Sequence, residues 1–77
     1  MKLELFILST CPYCKRVLTE MEKESRQDID IYDISKDKEA GNRLMEIGGK
    51  SQVPCLFIDG KPMYESMDII SWLKKNR

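Results

Sequence analysis

Two cysteines with two residues between them, in Cys11-Pro12-Tyr13-Cys14, are the side chains whose type and spacing can do chemistry. At positions i and i+3 of a helix, side chains share one face with Cβ atoms about 5–6 Å apart. A disulfide needs nearly that separation, so a modest rotation can close or open the bond. At the exposed amino end of a helix, unpaired N–H groups and the positive end of the dipole stabilise a thiolate. Cys11 is therefore expected to attack a substrate disulfide. Cys14, further into the helix and less accessible, is expected to resolve the mixed disulfide. Lys15 adds positive potential nearby. The competing use of such a pair is a zinc site. Structural zinc is almost always held by four ligands, whereas the chain offers Cys11, Cys14 and Cys55 and no histidine. Redox use is the better reading, and no metal site is expected.

Composition narrows the class. Three cysteines is an odd number, which argues against a fully paired disulfide framework. In a reducing compartment, two close cysteines suggest redox chemistry or a metal. Lys plus Arg number 13 and Asp plus Glu number 13, so a basic footprint for nucleic acid is absent. No stretch is long or apolar enough to span a membrane. The apolar run from Met1 to Leu8 is short, is interrupted by Glu4 and leads to no small-residue cleavage site. The expectation is a soluble, cytoplasmic monomer that binds neither nucleic acid nor membrane.

The elements that must position the pair can be read from apolar periods. At 77 residues there is room for one domain. Lys2 to Leu8 reads as a strand with Leu3, Leu5 and Ile7 on one face and Phe6 and Leu8 on the other, so it should be covered on both sides. Pro12 to about Arg26 reads as a helix. Cys14, Val17, Leu18 and Met21 face inward, and Lys15, Arg16, Glu20, Glu22 and Lys23 face water. Thr10 or Cys11 would cap it, and Pro12 suits its first turn. Ile29 to Ile34 is a second strand, expected to run parallel to the first. Asp37 to Ile47 is a second helix, stopped by Gly48 and Gly49. Cys55 to Ile58 is a third strand. The Asp59-Gly60 turn leads into a fourth that ends near Tyr64 and carries Pro62, a sheet-edge signal. Ser66 is expected to cap a last helix with Ile69, Ile70 and Leu73 inside and Lys74, Lys75 and Arg77 at its carboxyl end.

With these residues in place, the chain resembles the glutaredoxin family, within the thioredoxin fold. Cys11-Pro12-Tyr13-Cys14 matches the family's dithiol motif. Val53-Pro54 matches a dipeptide whose proline is cis in the family and faces the cysteines. Asp68 matches the region that binds the γ-glutamyl end of glutathione. The resemblance covers the whole chain. It implies an α/β fold of order βαβ-α-ββα, a mixed four-stranded sheet flanked by three helices, as one domain over residues 1–77. Two positions depart from the pattern. Leu8 stands where many members carry a lysine or arginine that holds the glycine carboxylate of glutathione, and Tyr64-Glu65 replaces a common Gly-Gly pair. Gln52-Val53-Pro54 and Glu65-Ser66-Met67-Asp68-Ile69 are in turn similar to the amino-terminal domain of glutathione transferases, where the Glu-Ser pair binds the γ-glutamyl group.

The resemblance implies an enzyme that reduces protein disulfides or glutathione mixed disulfides and holds no tightly bound cofactor. Glutathione would be the co-substrate, or a thioredoxin-reductase-like enzyme the donor, and disulfide-containing proteins the partners. The implied glutathione pocket comprises Tyr13, Lys50, Gln52, Val53, Pro54, Glu65, Ser66 and Asp68, with Lys50 replacing the missing carboxylate clamp. Two alternatives stand beside it. One is an iron–sulfur cluster carrier built from two chains, which Pro12 disfavours in the family. The other is a reductase-dependent protein that does not use glutathione. Cys55 reads most simply as a small buried hydrophobe. Ser66 is expected to serve as a helix cap whatever else it does, at a helix start that suits a carboxylate.

Overall fold

Strand β1 (Leu3–Ile7) is buried along its whole length, as an apolar run on both faces requires. The computed structural model describes residues 1–76, so Arg77, expected at the end of the last helix, lies outside the described residues. Helix α1 (Pro12–Lys23) follows, then strand β2 (Ile29–Asp33), helix α2 (Lys38–Gly48), strands β3 (Cys55–Ile58) and β4 (Lys61–Tyr64), and helix α3 (Ser66–Lys75). The sheet order is β2-β1-β3-β4. β1 and β2 are parallel, with Leu3 opposite Ile29 and Ile7 opposite Asp33. β3 runs antiparallel to both β1 and β4.

The two faces of β1 feed two cores. Leu3, Leu5 and Ile7 pack with Cys14, Val17 and Met21 of α1 and with Ile69 and Leu73 of α3. Phe6 points the other way, against Ala40 and Leu44 of α2 and against Phe57, whose ring centroid is 4.5 Å away. Helices α1 and α3 thus cover one face and α2 the other. This is the mixed four-stranded sheet with three flanking helices expected above.

Glu4 is also buried, at 3% exposure. Its two carboxylate oxygens accept from Arg43 Nη1 and Nη2 of α2, each at 2.9 Å. A bidentate pair of this kind satisfies a charge that burial would otherwise penalise heavily. The arginine holds the Glu4 carboxyl below the usual carboxylate range, first through this hydrogen bond and against the opposing effect of burial.

The strands are one or two residues shorter than expected at β1 and β2, α2 runs through Gly48, and two helix ends differ in a way that has a physical cause. Helix α1 stops at Lys23 instead of Arg26, because Ser25 turns into the left-handed region with φ of 52°. Arg26 is thereby freed from the helix. It donates to both carboxylate oxygens of Asp28 and, through Nη1, to the Leu73 carbonyl of α3 at 3.0 Å. The amino cap of α3 is Glu65 and not Ser66. Glu65 takes φ of 71° and carries no side-chain capping bond, so Ser66 is already the first helical residue and is buried. At α2 Gly48 is still helical and Gly49 alone ends the helix. Asp37 caps α2 by accepting from the Ala40 N–H, and Gly49 ends it with φ of 80°. Asp59 and Gly60 both take positive φ in the β3–β4 hairpin, as a type I′ turn demands.

Candidate active site

Cys11 sits where the chain leaves β1 and enters α1. Its N–H donates to the Leu8 carbonyl at 3.0 Å. Its own φ and ψ are extended, which makes it the amino cap of α1, with Pro12 in the first helical position. A cap residue normally offers a side-chain oxygen to the helix start; here the acceptor is sulfur. The Cys14 N–H donates to Cys11 Sγ at 3.3 Å. Cys11 is half-buried and Cys14 is 1% exposed, and both are free thiols.

The electrostatics of the two thiols are opposed. Burial pushes the Cys11 thiol up, but hydrogen bonds from the Cys14 side chain and from the Cys14 and Tyr13 N–H groups outweigh it, so its pKa is lowered. Cys14 is pushed up to about 12, first by burial and then by its hydrogen bond to Cys11. Cys11 is thus the more readily ionised of the two thiols. Cys55, fully buried with Phe6, Ala40, Leu44 and Phe57, is pushed up to about 11, chiefly by burial.

Opposite the α1 start, the Val53–Pro54 bond is cis. Between them runs a groove of about 450 Å3, lined by Tyr13 and Arg16 of α1, by Gln52, Val53 and Pro54, and by Glu65, Ser66 and Met67 at the start of α3. Gln52 Nε2 donates to Glu65 Oε1 at 3.3 Å. Six of the eight residues expected in a glutathione pocket therefore meet in one groove. The other two do not line it. Lys50 places its ammonium 4.6 Å from the centre of the Tyr64 ring, and its carbonyl accepts from the Tyr64 hydroxyl. Asp68 lines a separate depression with Met63, Ser71, Trp72 and Lys75.

Two groove residues were not singled out from sequence. Met67 is 68% exposed and forms part of the rim. Arg16 was placed on the wet side of α1, yet its guanidinium lies 5.5 Å over the Tyr13 ring and lines the groove. The available signal was its spacing, three residues beyond Tyr13 on the same helix face. A larger depression of about 610 Å3 lies over residues 23–28, at the far end of α1 from Cys11, and holds no thiol. Among the described residues, no group of three or more His, Cys, Asp or Glu is placed to hold a metal. No helix among them is long and apolar enough to cross a membrane.

Comparison with known proteins agrees with this geometry. The glutaredoxin family model matches residues 3–63. Glutaredoxin 1 of Rickettsia prowazekii is 27% identical over 75 residues, which is 95% of this chain and 78% of that protein. The crystal structure of a thioredoxin-like protein superposes with a TM-score of 0.77 at 27% identity, covering 96% of this chain and 97% of the other. A glutathione transferase Omega 3C from Trametes versicolor superposes with a TM-score of 0.79 at 23% identity, over 99% of this chain and 34% of that one; this likeness is one of fold alone. A cysteine pair at a helix start, a facing cis-proline and a family match over most of the chain converge, and the protein belongs to the glutaredoxin family of thiol–disulfide oxidoreductases.

Proposed function

We propose that Cys11 is the nucleophile and Cys14 the resolving thiol. The observation that carries this is the bond from the Cys14 N–H to Cys11 Sγ, with one thiol pKa lowered and the other raised. The Cys11 thiolate attacks one sulfur of a substrate disulfide. A bond forms between Cys11 and that sulfur, and the second substrate sulfur leaves as a thiolate and takes up a proton. Cys14 then attacks Cys11 Sγ, and its proton passes through solvent to the substrate sulfur that leaves. This forms the Cys11–Cys14 disulfide and releases the first substrate sulfur, so two electrons pass from the dithiol to the substrate.

Glutathione is the proposed co-substrate that restores the dithiol. The groove suits it: Val53 lines it, where its backbone would pair strand-like with the peptide part, and the α3 start would offer N–H groups to its γ-glutamyl carboxylate. Tyr13, Gln52, Pro54, Glu65 and Ser66 shape the site. Arg16 is the cation placed to meet the glycine carboxylate, while Lys50 and Asp68 act from outside the groove through charge. The protein is read as a single domain, supported by one sheet covered on both faces.

A dithiol reductase as donor is the second reading. Leu8 favours it, since it cannot hold a carboxylate where many family members carry a cation. A coupled assay separates the two. Reduction of a small disulfide is followed with glutathione and its reductase, and in parallel with a thioredoxin reductase. Turnover in the glutathione arm supports the co-substrate. Turnover in the reductase arm alone rejects it.

A further inference from the structure

Arg16 lines two depressions. One is the groove beside Cys11. The other, of about 360 Å3, continues along α1 and is lined by Lys15, Arg16, Thr19, Glu20, Lys23 and Ile70. Lys15, Thr19 and Lys23 recur every four residues and so form one stripe. Three cations and one carboxylate line this strip. The carboxylate, Glu20, has its pKa raised, first by a hydrogen bond with the Glu24 side chain. The floor is Ile70 of α3, an apolar spot beneath a basic rim. In a chain whose formal net charge is zero, this strip beside the active-site groove thus carries an excess of positive charge.

We infer that this strip docks the protein substrate, and that it selects an extended segment with acidic residues close to the cysteine of the target disulfide. The inference rests on Cys11 being the attacking thiol, which fixes one end of the segment. At about 1.5 Å per helical residue, Lys15 and Lys23 lie roughly 6 and 18 Å along α1 from Cys11. An extended chain rises about 3.3 Å per residue, so the strip meets substrate positions about two to five residues from the attacked cysteine. Carboxylates there face Lys15, Arg16 and Lys23, and an apolar side chain among them reaches Ile70. Complementary charge of this kind raises the encounter rate and rejects basic partners.

The test uses the full chain and short peptides with one cysteine held as a mixed disulfide with mercaptoethanol. In one set the positions two to five residues from the cysteine are Asp or Glu, and in the matched set they are Asn or Gln. The wild-type protein should reduce the acidic set about three- to thirtyfold more efficiently at low salt, as a few exposed ion pairs allow. The preference should collapse near 1 M salt, where screening acts within about 3 Å. The variant carrying Thr19→Glu and Lys23→Glu, both far from Cys11, should lose or invert the preference while reducing hydroxyethyl disulfide at the wild-type rate. Equal rates on the two sets, or a preference that survives in that variant, overturn the docking inference alone. Failure of the wild-type protein to reduce hydroxyethyl disulfide overturns the nucleophile assignment, and the docking inference with it.

Discussion

The backbone N–H of Cys14 donates to the sulfur of Cys11 across 3.3 Å. The same three-residue span that lets the two sulfurs join also lets the second cysteine's backbone stabilise the first cysteine's charge. Cys11 gains from this because it caps the helix. For Cys14, one turn in, burial outweighs the one backbone contact, at Leu8, that lowers its pKa.

Thiolate absorbance followed against pH should therefore show one sulfur titrating below the ordinary free-thiol value of about 8.5. The other two should remain protonated well above it, since Cys14 and Cys55 are pushed up to about 12 and about 11. The Cys11→Ser variant should lose the low-pH step, and the Cys14→Ser variant should keep it at a shifted midpoint. A low step that persists in Cys11→Ser would assign the thiolate to the wrong cysteine.

Arg16 and Lys50 make different predictions for glutathione. Arg16 lines the groove, whereas Lys50 is held over Tyr64. Both side chains are exposed, and an exposed ion pair is worth only about 0.2–1 kcal/mol. Arg16→Ala should raise the KM for a glutathione mixed disulfide severalfold, and Lys50→Ala should change it less. The reverse order would place the carboxylate clamp on the loop before Pro54.

Stability should depend on Glu4 and Arg43. The Glu4 pKa is lowered in the folded protein. Its contribution is thus fully present above the unfolded carboxylate pKa of about 4.3 and is lost as pH falls through the folded value. Arg43→Met strands a carboxylate whose side chain is 4% exposed. The expected cost at neutral pH is about 3 kcal/mol, the low end for a broken buried pair because Arg43 itself is 39% exposed. In that variant burial raises the Glu4 pKa, so the deficit should shrink as pH is lowered and the carboxyl protonates. Urea titrations of both proteins across acid pH measure it. A deficit that is constant with pH would contradict the ion pair.

The local signals in the sequence were the legible ones. A strand apolar on both faces, a helix opening at Cys-Pro, an Asp-Gly turn and a terminal Gly-Gly each act within a few residues. They placed all seven elements, and they put the two cysteines where the chain enters α1. What remained hidden depends on contacts distant along the chain. Glu4 and Arg43 are 39 residues apart and Arg26 and Leu73 are 47 apart, so no periodicity relates them. Arg16 looked like a solvated face because helical spacing shows which residues leave the core, not which groove the outer ones border. Glu65 hid for another reason: its positive φ is rare outside glycine, so sequence alone favoured Ser66 as the cap.

The central claim, that Cys11 attacks and Cys14 resolves, is tested most directly by trapping the intermediate. The Cys14→Ser protein is reacted with oxidised glutathione, quenched in acid, digested and mapped by mass spectrometry. One glutathione should be found in mixed disulfide with Cys11, with the fully buried Cys55 unmodified, and the Cys11→Ser protein treated alike should carry none. An adduct on Cys55, or a Cys11→Ser protein modified at Cys14 as fast as Cys14→Ser is at Cys11, would contradict the account.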